Sequence, residues 1–438
     1  MDALIDLRGG VMFVLCDHVK YRRERFGGIV LDTNTKATRF FNATGAQLIE
    51  ACANAYEIAE HQFRSAHDAE TAAEFLRTLV TQNLVRETDE SEISRAELFF
   101  TETTDFPEHY FYTPLGVEAE ITLKCFRRCV YCCYESAPTV NTSKDLSAED
   151  WKSALRRLHD DGVFYVRFTG GDPLVRDDFL EILDYADRLN LMISVGSDLT
   201  ALREHHAKAL SACRNLVMLQ TTLDGATAEV ADALRGPGNW RKVIAGLDLL
   251  RKHHVPVVVG TVLRSDNIGQ IKDIARLVRA HGAVGFHIAP LYLAGRGRLL
   301  EHLVPTNAEL SEAYRAFREA IDDGLTDPVD PAWLHLTGRY SCDEMAHLWD
   351  EQPYLIRKPD RLLRLDPQGR CYTSIQVKEV IGDAVYVGNI LEQSLAEIWH
   401  KAPLLSVLRS FENDESSIFG EVIDIRRVSE SLQEATHV

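Results

Sequence analysis

The chain has 438 residues, 45% of them hydrophobic and 26% charged, with a formal net charge of −18. That length exceeds one ordinary domain and predicts two or three, and the acidity argues against a general nucleic-acid binder, which needs a basic surface to displace counterions. No apolar run reaches the roughly 20 residues that span a bilayer, and the N-terminus, MDALIDLRGGVMFVLCDHVKYRR, has acids before its short apolar run and no small-residue cleavage site. The sequence therefore predicts a cytoplasmic protein with no membrane partner and no nucleic acid.

Residues 1–95 read as a small α+β domain. YRRERFGGIVLDTNTKATRFFNATG suggests two extended runs around a turn at 32–35, with Gly27-Gly28 as a bulge. Asn42 or Thr44 is placed to cap the next helix. From Asp68 to Val85 a helical face carries Ala72, Phe75, Leu76, Leu79 and Val80. Residues 96–115, with Pro107 and Pro114, read as a linker.

From 116 the pattern changes to strand–helix alternation. Glu118 to Lys124 alternates like a strand and delivers Cys125. Ser147-x-x-Asp150 is a capping-box pattern ahead of a helix with Trp151, Leu155 and Leu158. Phe164 to Phe168 is strand-like and ends at TGGDP. Further strands are expected at 191–195, 216–221, 256–262 and 284–289, with helices near 178–188, 205–212, 241–253 and 268–281. Repeated βα units imply a parallel sheet with ligands at the carboxyl ends of its strands. The stretch is short for an eight-unit barrel of about 250 residues, so a partial (β/α)6 barrel over 116–300 is expected.

Nine cysteines are present, four of them between 125 and 133. Such clustering in a chain without a signal peptide points to metal binding and away from a disulfide framework. Cys125, Cys129 and Cys132 are spaced to take three corners of an iron–sulfur cubane. Clusters of this kind usually have four cysteine ligands, so a set of three leaves one iron open. A structural zinc site with Cys133 as fourth ligand is the alternative. Adjacent Cys132 and Cys133 would struggle to share a tetrahedral metal, and zinc ligands usually come as C-x₂₋₄-C with a distant second pair.

Cys125-Phe-Arg-Arg-Cys129-Val-Tyr131-Cys132 resembles the signature of the radical S-adenosylmethionine family, C-x₃-C-x₂-C with an aromatic residue before the last cysteine. The resemblance implies a [4Fe–4S] cluster on Cys125, Cys129 and Cys132, with S-adenosyl-L-methionine chelating the open iron. One electron, from a donor such as flavodoxin or ferredoxin, then yields a 5′-deoxyadenosyl radical that abstracts hydrogen from substrate. Thr169-Gly170-Gly171-Asp172-Pro173 resembles the family's GGEP-like segment at the methionine amino group, with Asp for the commoner Glu. Thr222-Leu-Asp224-Gly225 is similar to the family's S-L-D-G and keeps a hydroxyl for the cofactor, and Arg235-Gly236 to the R-G that follows. Arg235 is then suited to the methionine carboxylate, the alternative being a surface arginine. Val195-Gly-Ser197-Asp198 stands where the family often has T-N-G, which puts Ser197 or Asp198 near the ribose.

Asp366-Pro-Gln-Gly369-Arg-Cys371, Gly388-Asn-Ile390 and Ser394-Leu-x-Glu-Ile-Trp399 resemble the SPASM/twitch extension of radical peptide-modifying enzymes. Only Cys342 and Cys371 are available there, so the extension over 301–410 is expected to be degenerate and without auxiliary clusters. The two thiols read as packed core residues, as partial ligands, or as hydrogen-atom donors. Residues 411–438 are an unassigned tail. Phe26-Gly-Gly-Ile-Val-Leu-Asp32, Phe41-Asn-Ala-Thr-Gly45 and the helix ending in Leu84-Val85 resemble the winged-helix-like RiPP recognition element, also called coenzyme PQQ synthesis protein D-like. Such a domain implies that residues 1–95 bind the leader of a ribosomal precursor peptide as an added strand.

Together the resemblances imply a maturase that modifies the core of that peptide by crosslinking, thioether formation or epimerisation. One alternative is a radical enzyme acting on a small metabolite, with residues 1–95 as scaffold. Another is an iron–sulfur or zinc regulator that binds nucleic acid without cleaving S-adenosylmethionine.

Overall fold

The computed structural model describes residues 12–54, 56–57, 64–88, 93–100, 111–291, 293–326, 355–357, 362–410 and 422–424. They divide into two compact units, Met1–Tyr112 with Asp160–Gly162, and Thr113–His159 with Val163–Val438. No helix among the described residues is long and apolar enough to cross a membrane.

The first unit contains β1 (Met12–Leu15), β2 (Val19–Glu24), β3 (Gly27–Asp32), β4 (Ala37–Asn42), α1 (Ala43–Ala51), β5 (Tyr56–Glu57), α2 (Ala66–Thr81), β6 (Val85–Thr88) and β7 (Glu97–Phe99). One sheet has the order β5-β1-β6 and the other β4-β3-β2-β7. Where the sequence suggests two extended runs, three strands form. The β2–β3 register runs unbroken from Val19↔Asp32 to Glu24↔Gly27, so Gly27-Gly28 is no bulge. Gly27 instead follows a two-residue turn at Arg25-Phe26.

Asn42 caps α1, its side chain accepting from the Gly45 N–H at 2.9 Å. Helix α2 stops at Thr81, short of the expected Val85. Asn83 takes a left-handed φ of 58° and turns Leu84 and Val85 back toward β1. Segment 97–99, inside the stretch read as linker, pairs in parallel with β2. Phe13, Leu15, Tyr21, Val30, Ile49, Leu76 and Leu79 form the core.

The second unit is built on β8 (Gly116–Thr122), α3 (Ala148–Asp160), β9 (Tyr165–Gly170), α4 (Phe179–Arg188), β10 (Met192–Gly196), α5 (Glu204–Ala212), β11 (Leu216–Thr222), α6 (Ala228–Arg235), α7 (Asn239–Lys252), β12 (Val257–Leu263), α8 (Ile271–Ala280), β13 (Gly285–Pro290) and α9 (Asn307–Asp322). Its strand order, β13-β12-β11-β10-β9-β8, follows the chain without reversal and every pairing is parallel. Right-handed crossovers repeated in one direction put all the helices on one face, the layout of the six-unit partial barrel read from the sequence. The expected strands begin and end within two residues of these. Side chains alternate between faces. Val166 and Phe168, Ile193 and Val195, and Val257 and Val259 are buried on the helix side, where Phe168 meets Phe179 of α4 edge-on with ring centroids 5.8 Å apart. Glu118, Glu120, Arg167, Ser194 and Gln220 point the other way, into the lumen.

Ahead of α3 the capping box forms, with the Asp150 N–H donating to Ser147 Oγ at 3.2 Å and the Ser147 N–H to Asp150 Oδ2 at 3.1 Å. Beyond α9 come β14 (Leu355–Arg357), β15 (Leu362–Leu365), β16 (Arg370–Tyr372), α10 (Ile375–Ile381), β17 (Tyr386–Asn389), α11 (Leu395–Lys401), α12 (Pro403–Ser410) and β18 (Val422–Asp424). Strand β15 lies parallel to β8, and β16 and β17 follow antiparallel, so the tail widens the sheet to nine strands. Cys342, and what the sequence suggests for it, lies outside the described residues.

Candidate active site

Strand β8 ends at Thr122, and three residues later the chain enters an irregular loop with Cys125, Cys129 and Cys132. A loop without its own ladder must find backbone partners elsewhere. The Cys125 N–H donates to Ala137 O at 3.3 Å, and the Val130 N–H to Leu234 O at 2.9 Å. Arg296 supplies the largest clamp. Its Nε donates to Cys129 O at 2.9 Å, its Nη2 to Ser136 O at 2.8 Å, and its backbone N–H to Cys132 O at 3.2 Å. From the other side Arg127 Nε donates to Thr200 Oγ1 at 2.9 Å.

With the backbone held from outside, the thiols are left for other work. Cys125 is buried and Cys129 and Cys132 are half-buried. The Cys125 thiol stands 3.8 Å from Asp198 Oδ2, and burial first, then the Asp198 and Asp172 carboxylates, push it up. Burial pushes Cys133 up to about 12. Among the described residues no three His, Cys, Asp or Glu side chains converge as ligands of a single ion. In a cubane each thiolate holds a different iron, so three thiols on one clamped loop suit that donor set without converging on one point.

The TGGDP segment follows β9 and packs onto the root of the cysteine loop. The Gly171 N–H donates to Thr122 O at 2.7 Å and the Asp172 N–H to Lys124 O at 3.0 Å. A Cβ on Gly170, whose φ is +119°, would stand 2.1 Å from Thr122 O, and one on Gly171 would stand 2.1 Å from Lys124 O. Both glycines are therefore demanded by contact between two backbones, and only hydrogen fits there. Pro173 opens a short 3₁₀ turn capped by Asp172, whose Oδ1 accepts from the Leu174 N–H at 2.9 Å. Asp172 Oδ2 accepts from Ser197 Oγ at 3.0 Å and from the Asp198 N–H at 3.2 Å. The Asp172 carboxyl is wholly buried, and burial together with neighbouring Asp198 pushes it well up.

At the end of β11, Thr222 is half-buried beside Gly260. Asp224 Oδ2 accepts from Tyr131 Oη at 2.5 Å and from Arg235 Nε at 2.6 Å, and its Oδ1 accepts from the Val262 N–H at 2.9 Å. The Arg235 guanidinium also lies 5.3 Å over the Tyr131 ring. Arg235 is thus neither a surface arginine nor free to turn wholly outward, because its Nε is taken by Asp224. Sequence reasoning leaves Asp224, Arg127 and Arg296 without roles. Asp224 lies inside a quoted motif, whereas Arg296 acts on a loop far away in sequence and carries no local signal.

Below this layer, in the lumen, Glu120 is buried and accepts from the Tyr372 hydroxyl, with Arg364 nearby at 4.0 Å. Burial raises the Glu120 carboxyl to about 8. Cys371 is wholly buried in β16, its thiol 3.9 Å from Gly369 O.

The family model of the Radical SAM superfamily matches residues 119–278. The chain is 30% identical over 305 residues to mycofactocin maturase MftC of Mycobacterium ulcerans, covering 69% of this chain and 79% of that one. It is 28% identical over 304 residues to PqqA peptide cyclase of Gluconobacter oxydans, covering 68% and 79%. Its fold is similar to that of Streptococcus suis SuiB bound to precursor peptide SuiA, with a TM-score of 0.67 at 16% identity over 92% of each chain. The six parallel strands, the cysteine loop on the first of them and these similarities lead to one conclusion: the chain belongs to the radical SAM superfamily and is a radical SAM enzyme.

Proposed function

We propose that the enzyme matures a ribosomally made peptide, binding its leader through residues 1–95 and modifying its core in the barrel. The observation that carries this reading is the company of relatives, a mycofactocin maturase and a peptide cyclase. SuiB, whose fold is similar over 92% of each chain, was crystallised with its precursor peptide. In this reading Cys125, Cys129 and Cys132 hold a [4Fe–4S] cluster. Gly170, Gly171, Asp172, Pro173, Tyr131, Ser197, Thr222 and Arg235 surround S-adenosylmethionine. When bound, cluster and cofactor supply one-electron cleavage of a sulfonium, driven by a donor such as flavodoxin or ferredoxin.

The chain's own residues do the rest. Arg296 and Arg127 hold the loop, Asp172 fixes the turn under the two glycines, and Asp224 orients Tyr131 and Arg235. Strand β4 lies at an edge of its sheet, and an extended leader satisfies the backbone groups of such an edge. Phe40 on β4 is 50% exposed and offers the leader an apolar contact. Tethering then raises the effective concentration of the core at the barrel.

A small open reading frame beside the gene would supply the precursor peptide, and the test is a titration of its labelled leader. Proline in the leader's central contact segment should weaken binding because it removes a backbone donor. Phe40→Asp should weaken it as well, and core peptide at high concentration should then recover part of the product. Unchanged affinity with both the proline leader and Phe40→Asp would favour the small-metabolite alternative.

A further inference from the structure

One row of lumen-facing side chains is not absorbed by the cofactor site. Arg364, Glu118, Arg167 and Ser194 are direct register partners on β15, β8, β9 and β10. They therefore stand side by side on one face. At the left of the row, Arg364 Nη1 meets Glu118 Oε1 at 2.9 Å and donates to Tyr134 Oη at 2.6 Å. At the right the pairing is loose. Arg167 Nε is buried without a hydrogen-bond partner among the described residues, and Glu118 Oε1 is 4.0 Å from it.

Arg167 leans across β10, where a Cβ on Gly196 would stand 3.5 Å from its Nη2. Next to it the Ser194 hydroxyl, in a residue 1% exposed, also has no partner among the described residues. Beyond Gly196 its register partner Gln220 reaches over β12 to His287, Nε2 to Nε2, at 2.6 Å. Gly260 makes that reach possible, since a Cβ there would stand 2.6 Å from His287 Nε2. Among the described residues Gln220 Oε1 is left buried and unbonded. As placed, the Gln220 N–H donates to an unprotonated His287 Nε2; with the proton on Nε2 instead, a half-turn of the amide would supply its acceptor and turn a Gln220 N–H into the lumen.

The three groups have a common need. Arg167 Nε–H, the Ser194 hydroxyl and the turned Gln220 amide are donors on adjacent strands, one of them cationic, and the neighbouring carboxylate, Glu118, stands 4.0 Å from Arg167 Nε and is already engaged by Arg364 at 2.9 Å. Leaving such groups buried and unmade is costly, and a planar guanidinium is matched best by a carboxylate. We propose that Arg167, Ser194 and Gln220 form a seat for a substrate carboxylate, the free C-terminus or an acidic side chain of the segment being modified. Seated there, the carboxylate pins the substrate below the cofactor layer, one turn of the alternation beneath Thr169 and Gly196.

The inference rests on the barrel being where substrate is held. The test needs neither leader nor turnover, so its failure leaves peptide maturation standing, and a failed leader titration leaves the seat standing. Reconstituted full-length enzyme is titrated with N-acetylglycine, its uncharged twin N-acetylglycinamide, and the α-amide of N-acetylglutamic acid, with binding read by saturation-transfer NMR. At least one carboxylate probe should bind about tenfold or more tightly than the amide, as a charge-assisted hydrogen bond predicts. The tighter of the two names the source of the carboxylate. Arg167→Gln should erase the preference, Arg167→Lys should restore part of it, and Ser194→Ala, a milder change, should reduce it several-fold. Equal binding of charged and uncharged probes by the unaltered enzyme, or a preference that survives Arg167→Gln, would overturn the seat. Displacement of the probe by S-adenosylmethionine would also overturn it, by giving Arg167 to the cofactor.

Discussion

Cysteine occurs in two contrasting settings in the second unit. Cys125, Cys129 and Cys132 ride a loop whose carbonyls are gripped by Arg296 and whose N–H groups find Ala137 and Leu234. Cys371 belongs to β16, wholly buried, with a carbonyl 3.9 Å from its sulfur. The loop spends its neighbours' side chains on holding backbone and leaves its own side chains available. The strand meets its backbone needs in the ladder and gives its thiol to the core. Availability for metal chemistry thus follows from how the backbone is satisfied and does not come with the residue type.

The sharpest way to break this contrast is to remove the loop thiols. Cys125→Ala, Cys129→Ala and Cys132→Ala should each abolish 5′-deoxyadenosine formation by reduced, reconstituted enzyme, whereas Cys133→Ala should keep its iron. Full activity in any of the first three would collapse the distinction.

A smaller effect is expected from the clamp. Arg296→Ala removes two charged donors to loop carbonyls, each worth roughly 1.5–3 kcal/mol. Iron should then be lost to a chelator faster, with the fold retained. Arg296→Lys should recover less than half of the difference, because an ammonium lacks the two-pronged fork. Iron retention equal to the unaltered enzyme would mean the loop holds itself.

The two settings meet at Glu120, which lies on β8 upstream of Cys125 and accepts from Tyr372, the neighbour of Cys371. Its folded-state value of about 8, above the ordinary 4.5, favours the protonated form. The stability it contributes is complete below about 4.5 and is lost as pH rises toward and through about 8. Urea midpoints should therefore fall between about pH 6 and about pH 9 in the unaltered protein, and fall less in Glu120→Gln. Parallel curves would show that Arg364 keeps Glu120 ionised throughout.

Least affected should be Cys371→Ala. Removing one buried sulfur should cost about 1 kcal/mol, leaving iron near the roughly four per chain of a single cluster. About eight irons, with a spectrum altered by this substitution, would place a second cluster in the tail.

Much of the barrel was legible because its strands are short apolar runs spaced by helical periodicity and closed by Gly or Asp. Helix α6 escaped because its eight residues, Ala228–Arg235, carry only about two turns of pattern after a motif that reads as a loop. The β2–β3 hairpin escaped because Arg25-Phe26 carries none of the usual turn residues. Of the site, the cysteines and glycines announce themselves by local spacing. The bonds among Asp172, Ser197 and Asp198, and of Asp224 with Tyr131 and Arg235, are made across strands and are invisible until the sheet is assembled. Arg296 is the extreme case, reaching a carbonyl 167 residues away.

The parallel pairing of β8 with β15 has a consequence for how the polypeptide is made. Gly116 is paired with Leu362, so the first strand of the barrel leaves the ribosome long before its outer neighbour exists. At roughly 5–20 residues per second the wait lasts some tens of seconds. During it the β8 edge is an open row of backbone donors and acceptors, immediately ahead of the cysteine loop, and such an edge is a template for association with other nascent chains. Expression conditions that slow translation should therefore lower the yield of soluble protein, and holdase chaperones should protect it most between emergence of β8 and emergence of β15.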